Sequence, residues 1–147
     1  MHANCPAYTA YVDSQGTISR EELAALISRG EIDTVIVAFP DLQGRMVGKR
    51  FTGWFFLEEV ADHGAENCNY LIATDMDDNP IPGYRFASYE LGYGDMVSMP
   101  DWNTVRVLPW QTKTALVLTN LVHPKSHDPI HVSPRQVLRD QVARAEE

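Results

Sequence analysis

The 147-residue chain is 44% hydrophobic and 22% charged, which suits one globular domain that buries its core without disulfides or metal. A formal charge of −8 and a pI near 5.0 argue against nucleic-acid binding, which needs clustered Lys and Arg to displace counterions. Cys5 and Cys68 stand far apart with no C-x-x-C, no run approaches the roughly 18 apolar residues of a membrane helix, and MHANCPAYTAYVDSQG lacks the regions of a signal peptide; a reduced, cytoplasmic setting is expected.

The first eighteen residues mix Pro, Gly and small polar residues without periodicity, and a mobile terminal segment is expected over 1–18. Ser19-Arg-Glu-Glu22 has capping-box spacing and opens a helix with Leu23, Leu26 and Ile27 as its apolar stripe and Gly30 as its stop. Thr34 to Phe39 reads as a strand, Gln43-Gly44 as a turn, and Arg45 to Phe51 as the returning strand. A helix is predicted from about Thr52 to His63-Gly64, then a strand from Cys68 to Thr74.

Asp75 to Gly94 has no period of its own, yet it carries Tyr84, Phe86, Tyr89 and Tyr93. Loops of this length are usually functional or disordered, and aromatics argue against disorder. Strands are expected at Asp95 to Met99, Thr104 to Leu108 and Ala115 to Val122, with Pro100-Asp101 and Pro109-Trp110 between them. After the loop from His123 to Val132, Ser133-Pro134-Arg135-Gln136 starts a helix with Val137, Leu138 and Val142 on one face and no terminal cap before Glu147. A helix that starts well and lacks a stop suggests a truncated chain.

Three clusters, in order over roughly residues 19 to 145, carry a family resemblance. Pro40-Asp41-Leu42-Gln43-Gly44-Arg45, continuing through Gly48-Lys49-Arg50, resembles the D-x-x-G-x-x-R/x-G-K hairpin of glutamine synthetases. Gly94-Asp95 through Pro100-Asp101, with Thr104, Arg106 and Leu108-Pro109-Trp110, is similar to a second stretch of that family, and Ser133-Pro134-Arg135 with Leu138 to the opening of its catalytic domain. Each cluster alone has an ordinary structural explanation, since glycine supplies a turn and proline a helix start. The ordered set carries the resemblance.

The resemblance implies an α+β fold: a β-grasp domain, a mixed sheet wrapped around one helix with flanking helices. It spans 19–122, with 123–147 as linker and first helix of a catalytic domain beyond. It further implies an ATP-dependent ligase of nitrogen metabolism, glutamine biosynthesis included, that phosphorylates the glutamate γ-carboxylate before an amine attacks. The subunits form a homo-oligomeric ring with shared active sites. ATP and magnesium or manganese would be held by the following domain, so this chain alone is expected to bind no cofactor and to be inactive.

In that family the loop after the strand corresponding to Cys68–Thr74 brings an aspartate into the next subunit's site, where it binds ammonium. The matching residue is Asp75, the expected catalytic residue. Chemically, a carboxylate near a cationic amine favours its binding and can accept its proton. The family's glutamine-forming pattern has Gly and two serines after this aspartate; here Met76-Asp77-Asp78-Asn79 follows. That departure points to a larger amine, with Asp75, Asp77 and Tyr84 as its expected binding residues and Tyr89 nearby.

A solvated acidic turn is the simpler reading of Asp75 to Asn79. Calcium is rejected, because Pro80 stands where the calcium loop needs Gly and Phe86 where it needs Glu. His123, His127 and His131 recur every four residues, but Pro124 and Pro129 forbid the helix that would stack them as metal ligands. Trp102 and Trp110 suit core or interface anchors, and Lys49 and Arg50 suit either a neighbouring subunit's nucleotide or the charged edge of a sheet. The competing class is a free-standing β-grasp protein-binding module, and a small acid–base enzyme lacks a nucleophile or metal constellation.

Overall fold

A computed structural model of the protein describes residues 16–146. The expectation of a mobile terminus lies almost wholly outside the described residues; of that segment's last residues, Ile18 is buried and its amide donates to Val105 O at 2.8 Å.

Helix α1 (Arg20–Ser28) starts as its capping box requires: the Glu22 amide donates to Ser19 Oγ at 3.1 Å, and Glu22 Oε2 accepts the Ser19 amide at 2.8 Å. Leu23, Leu26 and Ile27 are buried, each contributing roughly 1.5–3 kcal/mol relative to exposure. Strand β1 (Thr34–Pro40) turns at Gly44 into β2 (Met46–Thr52), with Thr34 opposite Thr52 and Pro40 opposite Met46. One helical run, α2, follows as Gly53–Phe55, Phe56–Val60 and Ala61–His63. Its middle is a π turn in which the Ala61 amide reaches back to Phe56 O, the wider turn that a single inserted residue produces. A Cβ at Gly53 would stand 2.9 Å from the Ile27 side chain, so glycine there lets α2 begin directly against α1.

Strand β3 (Ala65–Cys68) pairs with β4 (Asp95–Pro100), β5 (Arg106–Val107) is short, and β6 (Thr114–Val122) is long. The six-stranded sheet runs β2-β1-β6-β4-β3, with β5 also on β6; only β1 and β6 are parallel. This is the expected mixed α+β, β-grasp-like architecture. Residues of α1, α2, β1 and β6 form one apolar cluster around Leu23, Val35, Phe56 and Val117, and Phe39, Ile72, Met96, Leu121 and Ile130 form a second. Lys49 Nζ donates to Glu66 O at 2.5 Å and so ties β2 to β3, the two ends of the strand order.

Two strand expectations are corrected. The strand placed at Cys68 to Thr74 lies earlier, at Ala65–Cys68, and Asn69–Ile72 is a 3-10 turn. Buried Asn67 hides the alternation: its amide is satisfied inside the sheet by Ser98 Oγ at 2.8 Å and Ala65 O at 2.9 Å. The strand placed at Thr104 to Leu108 shrinks to Arg106–Val107, because Trp102–Thr104 forms a 3-10 turn capped by Asp101. There the Thr104 hydroxyl accepts the Leu118 amide at 2.9 Å, in place of a strand carbonyl.

Helix α3 (Pro134–Ala145) is capped by Ser133, whose hydroxyl accepts the Gln136 amide. Arg135 ties it to the sheet through Asp101 Oδ2 at 2.5 Å and Asn120 Oδ1 at 3.4 Å. Val137, Leu138 and Val142 are exposed.

Candidate functional site

Two five-residue turns meet where the β1–β2 hairpin touches the loop after Ile72, and both are built the same way. In the first, Asp41 Oδ1 accepts the Gln43 and Arg45 amides at 2.9 and 2.8 Å, and the Asp41 amide donates to Arg45 O at 2.9 Å. In the second, Asp75 Oδ1 accepts the Asp77 and Asn79 amides, both at 2.9 Å, and the Asp75 amide donates to Asn79 O at 2.9 Å. The fourth residue of each is left-handed: Gly44 at φ +83° and Asp78 at φ +64°. Such backbone geometry favours glycine and is tolerated by aspartate, whose short side chain bonds locally. The acidic segment is therefore a structured turn closed by the Thr74–Pro80 bridge.

Side chains of the first turn hold the second. Arg45 Nε donates to Asp41 Oδ2 at 2.6 Å, Nη1 to Met76 O at 2.9 Å, and Nη2 to Asp78 Oδ1 at 2.8 Å and Asp75 O at 3.3 Å. Gln43 Nε2 donates to Thr74 O at 2.9 Å. Asp41 is 1% exposed. Burial opposes its ionisation, but the Arg45 guanidinium and the Arg45 and Gln43 amides outweigh it and hold the carboxyl below the usual range.

Asp75 is half-buried. The Asn79 amide, working against partial desolvation and helped by the Asp77 amide, the Asn79 side chain and the Arg45 charge, lowers its pKa. Its Oδ1 is taken by the turn, while Oδ2 has, among the described residues, only a long 3.4 Å contact from Asn79 Nδ2. The arrangement can do one thing well: present a fixed, ionised carboxylate oxygen to a cation.

Of the other expected amine-binding residues, Asp77 is exposed in the same turn and makes no side-chain bond among the described residues, whereas Asp78 is committed to Arg45. Tyr84 is half-buried beyond the following turn and makes no hydrogen bond among the described residues. The loop's base is closed by Asn69, which exchanges bonds with Gly94 at 2.9 and 3.2 Å, and by Tyr93, whose ring meets Tyr70 at 5.1 Å and Tyr89 at 6.4 Å. Sequence reasoning missed the role of Asp41, Gln43 and Arg45 in holding this loop. The signal available was the parallel between Asp41-x-x-Gly44-x and Asp75-x-x-Asp78-x.

The remaining candidates take structural places. Trp102 packs edge-on against Phe56 at 6.0 Å and under the Arg20 guanidinium at 4.9 Å, whereas Trp110 is 77% exposed. Lys49 is bound to Glu66 O, while Arg50 is exposed on edge strand β2. His131 Nδ1 lies 3.6 Å from Asp140 Oδ2. Among the described residues no group of three or more His, Cys, Asp and Glu is placed to hold a metal ion. A shallow cavity of about 640 Å³ lies at Asp95 and the loop after β6, lined by His123, Lys125, Ser126 and Asp128 and not by Asp75, Asp77 or Tyr84. No helix of the described residues is long and apolar enough to cross a membrane.

No family model matches the sequence. Individual proteins do. The chain is 49% identical over 124 residues, 84% of its length, to the gamma-glutamylethanolamide synthetase GlnA4 of Streptomyces coelicolor. It is 34% identical over 121 residues, 82% of its length, to the glutamate–isopropylamine ligase of a Pseudomonas species, and 26% identical over 113 residues to type-1 glutamine synthetase 2 of Dictyostelium discoideum. It spans 27%, 26% and 21% of those relatives, about a quarter of their length. Among solved structures, a GmaS/ADP complex superposes with a TM-score of 0.63 at 22% identity, covering 84% of this chain and 25% of that one; this likeness concerns the fold.

Proposed function

This chain belongs to the glutamine synthetase family, and on that premise we propose that it is the amino-terminal β-grasp domain of an ATP-dependent glutamate–amine ligase, with Asp75 binding the amine. The observation that carries the reading is the half-buried Asp75 carboxylate, one oxygen fixed by backbone amides and the other held, among the described residues, only by a 3.4 Å contact from the Asn79 side chain, in a turn that also carries the exposed Asp77.

The domain supplies this loop to the site of the neighbouring subunit in a ring. The glutamate γ-carboxylate takes the terminal phosphoryl group of ATP. The amine nitrogen then attacks the γ-carbonyl carbon, the C–N bond forms and phosphate leaves. Asp75 holds the incoming ammonium by charge. Its lowered pKa makes it a weak base, so it stabilises the cation more than it drives deprotonation, and the proton passes on to solvent. ATP and the metal belong to the rest of the protein, which is cytoplasmic; the chain alone has no turnover.

The substrate is an organic amine larger than ammonia. The two relatives above 30% identity are named for ethanolamide and isopropylamine products and substrates, and Asp75 is followed by Asp77 and Asp78 instead of small residues. Tyr84 is the proposed contact for the alkyl part. The test is ATP turnover by the product of the uninterrupted gene with glutamate and ammonium, ethanolamine, isopropylamine, putrescine or spermine in turn. Turnover dependent on an organic amine supports the reading; activity with ammonium alone makes the protein a glutamine synthetase, and no amine dependence leaves a protein-binding module.

A further inference from the structure

The hairpin touches the loop through side chains, and its charge pattern is unusual for a surface contact. Asp41 is almost wholly buried, yet Arg45 is the only side chain that bonds its Oδ2 among the described residues. Arg45 then faces away from Asp41 towards the acidic turn, where it reaches two backbone carbonyls and one carboxylate. With Gln43, the hairpin holds the carbonyls of Thr74, Asp75 and Met76, three consecutive residues centred on the proposed amine ligand.

We propose that Arg45 is a positioning residue for the amine-binding loop, a clamp that Asp41 orients and Gln43 extends, fixing the direction in which the Asp75 carboxylate is presented. This rests on the ligase reading above.

The geometry uses the shape of the guanidinium. Nε is spent on Asp41, and the two terminal nitrogens divide between Met76 O on one side and Asp78 with Asp75 O on the other. A lysine ammonium carries equal charge but has one nitrogen and cannot span these partners. The clamp also pairs Asp78, whereas Asp77 has no cation partner among the described residues. A misplacement of about 1 Å can cost on the order of a hundredfold in rate, which is why holding the backbone on both sides of Asp75 matters beyond stability.

The test uses the full-length protein with Arg45→Met, Arg45→Lys and Gln43→Ala, read by amide hydrogen exchange and steady-state kinetics. In Arg45→Met, exchange in peptides spanning 74–80 rises about tenfold more than that of β1, which reports the general loss of stability, and KM for the amine rises about tenfold with KM for glutamate within about twofold. Arg45→Lys behaves like Arg45→Met, because position and not charge is lost; Gln43→Ala gives a smaller shift in the same direction. Unchanged exchange at 74–80, an unchanged amine KM in a loosened loop, or a Lys variant equal to wild type would each overturn the clamp. Wild-type protein without amine-dependent turnover refutes the ligase reading instead, and the clamp's part in amine binding falls with it.

Discussion

The turns at Asp41–Arg45 and Asp75–Asn79 share one backbone design and differ in where the second carboxylate oxygen goes. At Asp41 it is bound to a guanidinium; at Asp75 it meets, among the described residues, only the Asn79 side-chain amide at 3.4 Å. Turn chemistry alone therefore does not separate a structural aspartate from a functional one. What distinguishes them is the partner of the second oxygen: a buried carboxylate paired directly with a guanidinium holds the fold together, whereas one that meets only a neutral amide at long range is the one proposed to take a ligand.

The largest expected effect is at the paired charge. Asp41→Ala leaves Arg45 without its buried partner and two backbone amides without their acceptor, and costs about 2–3 kcal/mol, measured as a lower denaturant midpoint. If the loss is no larger than that of a surface substitution, the two turns do not differ in the way described. Next comes Gly44→Val. Nothing lies within 4 Å of where a Cβ would stand, so the cost is purely that of the left-handed backbone, about 1–2 kcal/mol. Gly44→Asn costs visibly less, as Asp78 at φ +64° already indicates.

Acid titration sharpens the contrast. The folded-state pKa of Asp41 lies below that of the unfolded chain, so its ionised form stabilises the fold above about pH 4, and this contribution is lost as pH falls through the lower folded value. Asp41→Asn should flatten the fall of stability with acid, followed by chemical denaturation at a series of pH values; Asp75→Asn should flatten it in the same direction, since its pKa is lowered too, but less, because its side chain is more exposed to solvent screening. The smallest effect is at Asp78, whose side chain is 77% exposed: Asp78→Asn changes stability by less than about 0.5 kcal/mol.

The local signals that could be read in sequence were those complete within a few residues. The Ser19–Glu22 box, the Thr34 strand and the Ser133-Pro134 start all form as expected. What could not be read depends on residues far away. Asn67 is satisfied inside the sheet by Ser98, diagonal to it on β4, and Thr104 leaves strand geometry where its hydroxyl takes the Leu118 amide. The π turn in α2 likewise has no local marker in Phe56-Leu57-Glu58-Glu59-Val60. At the candidate site, Asp75 is singled out by family resemblance alone. The Arg45 grip on it spans about thirty residues of sequence and is visible only once the chain is folded.

The central claim is that the Asp75 carboxylate binds the amine, and the direct measurement is the amine KM of full-length Asp75→Asn. Asparagine keeps an oxygen for the Asp77 and Asn79 amides, removes the charge and gives up only the long contact from Asn79 Nδ2. The account predicts only a small loss of stability, an unchanged glutamate KM and an amine KM raised at least about tenfold, the loss of an ionic contact to the ligand. An amine KM equal to wild type would contradict it and return Asp75 to the role that Asp41 plays, a residue that shapes a turn.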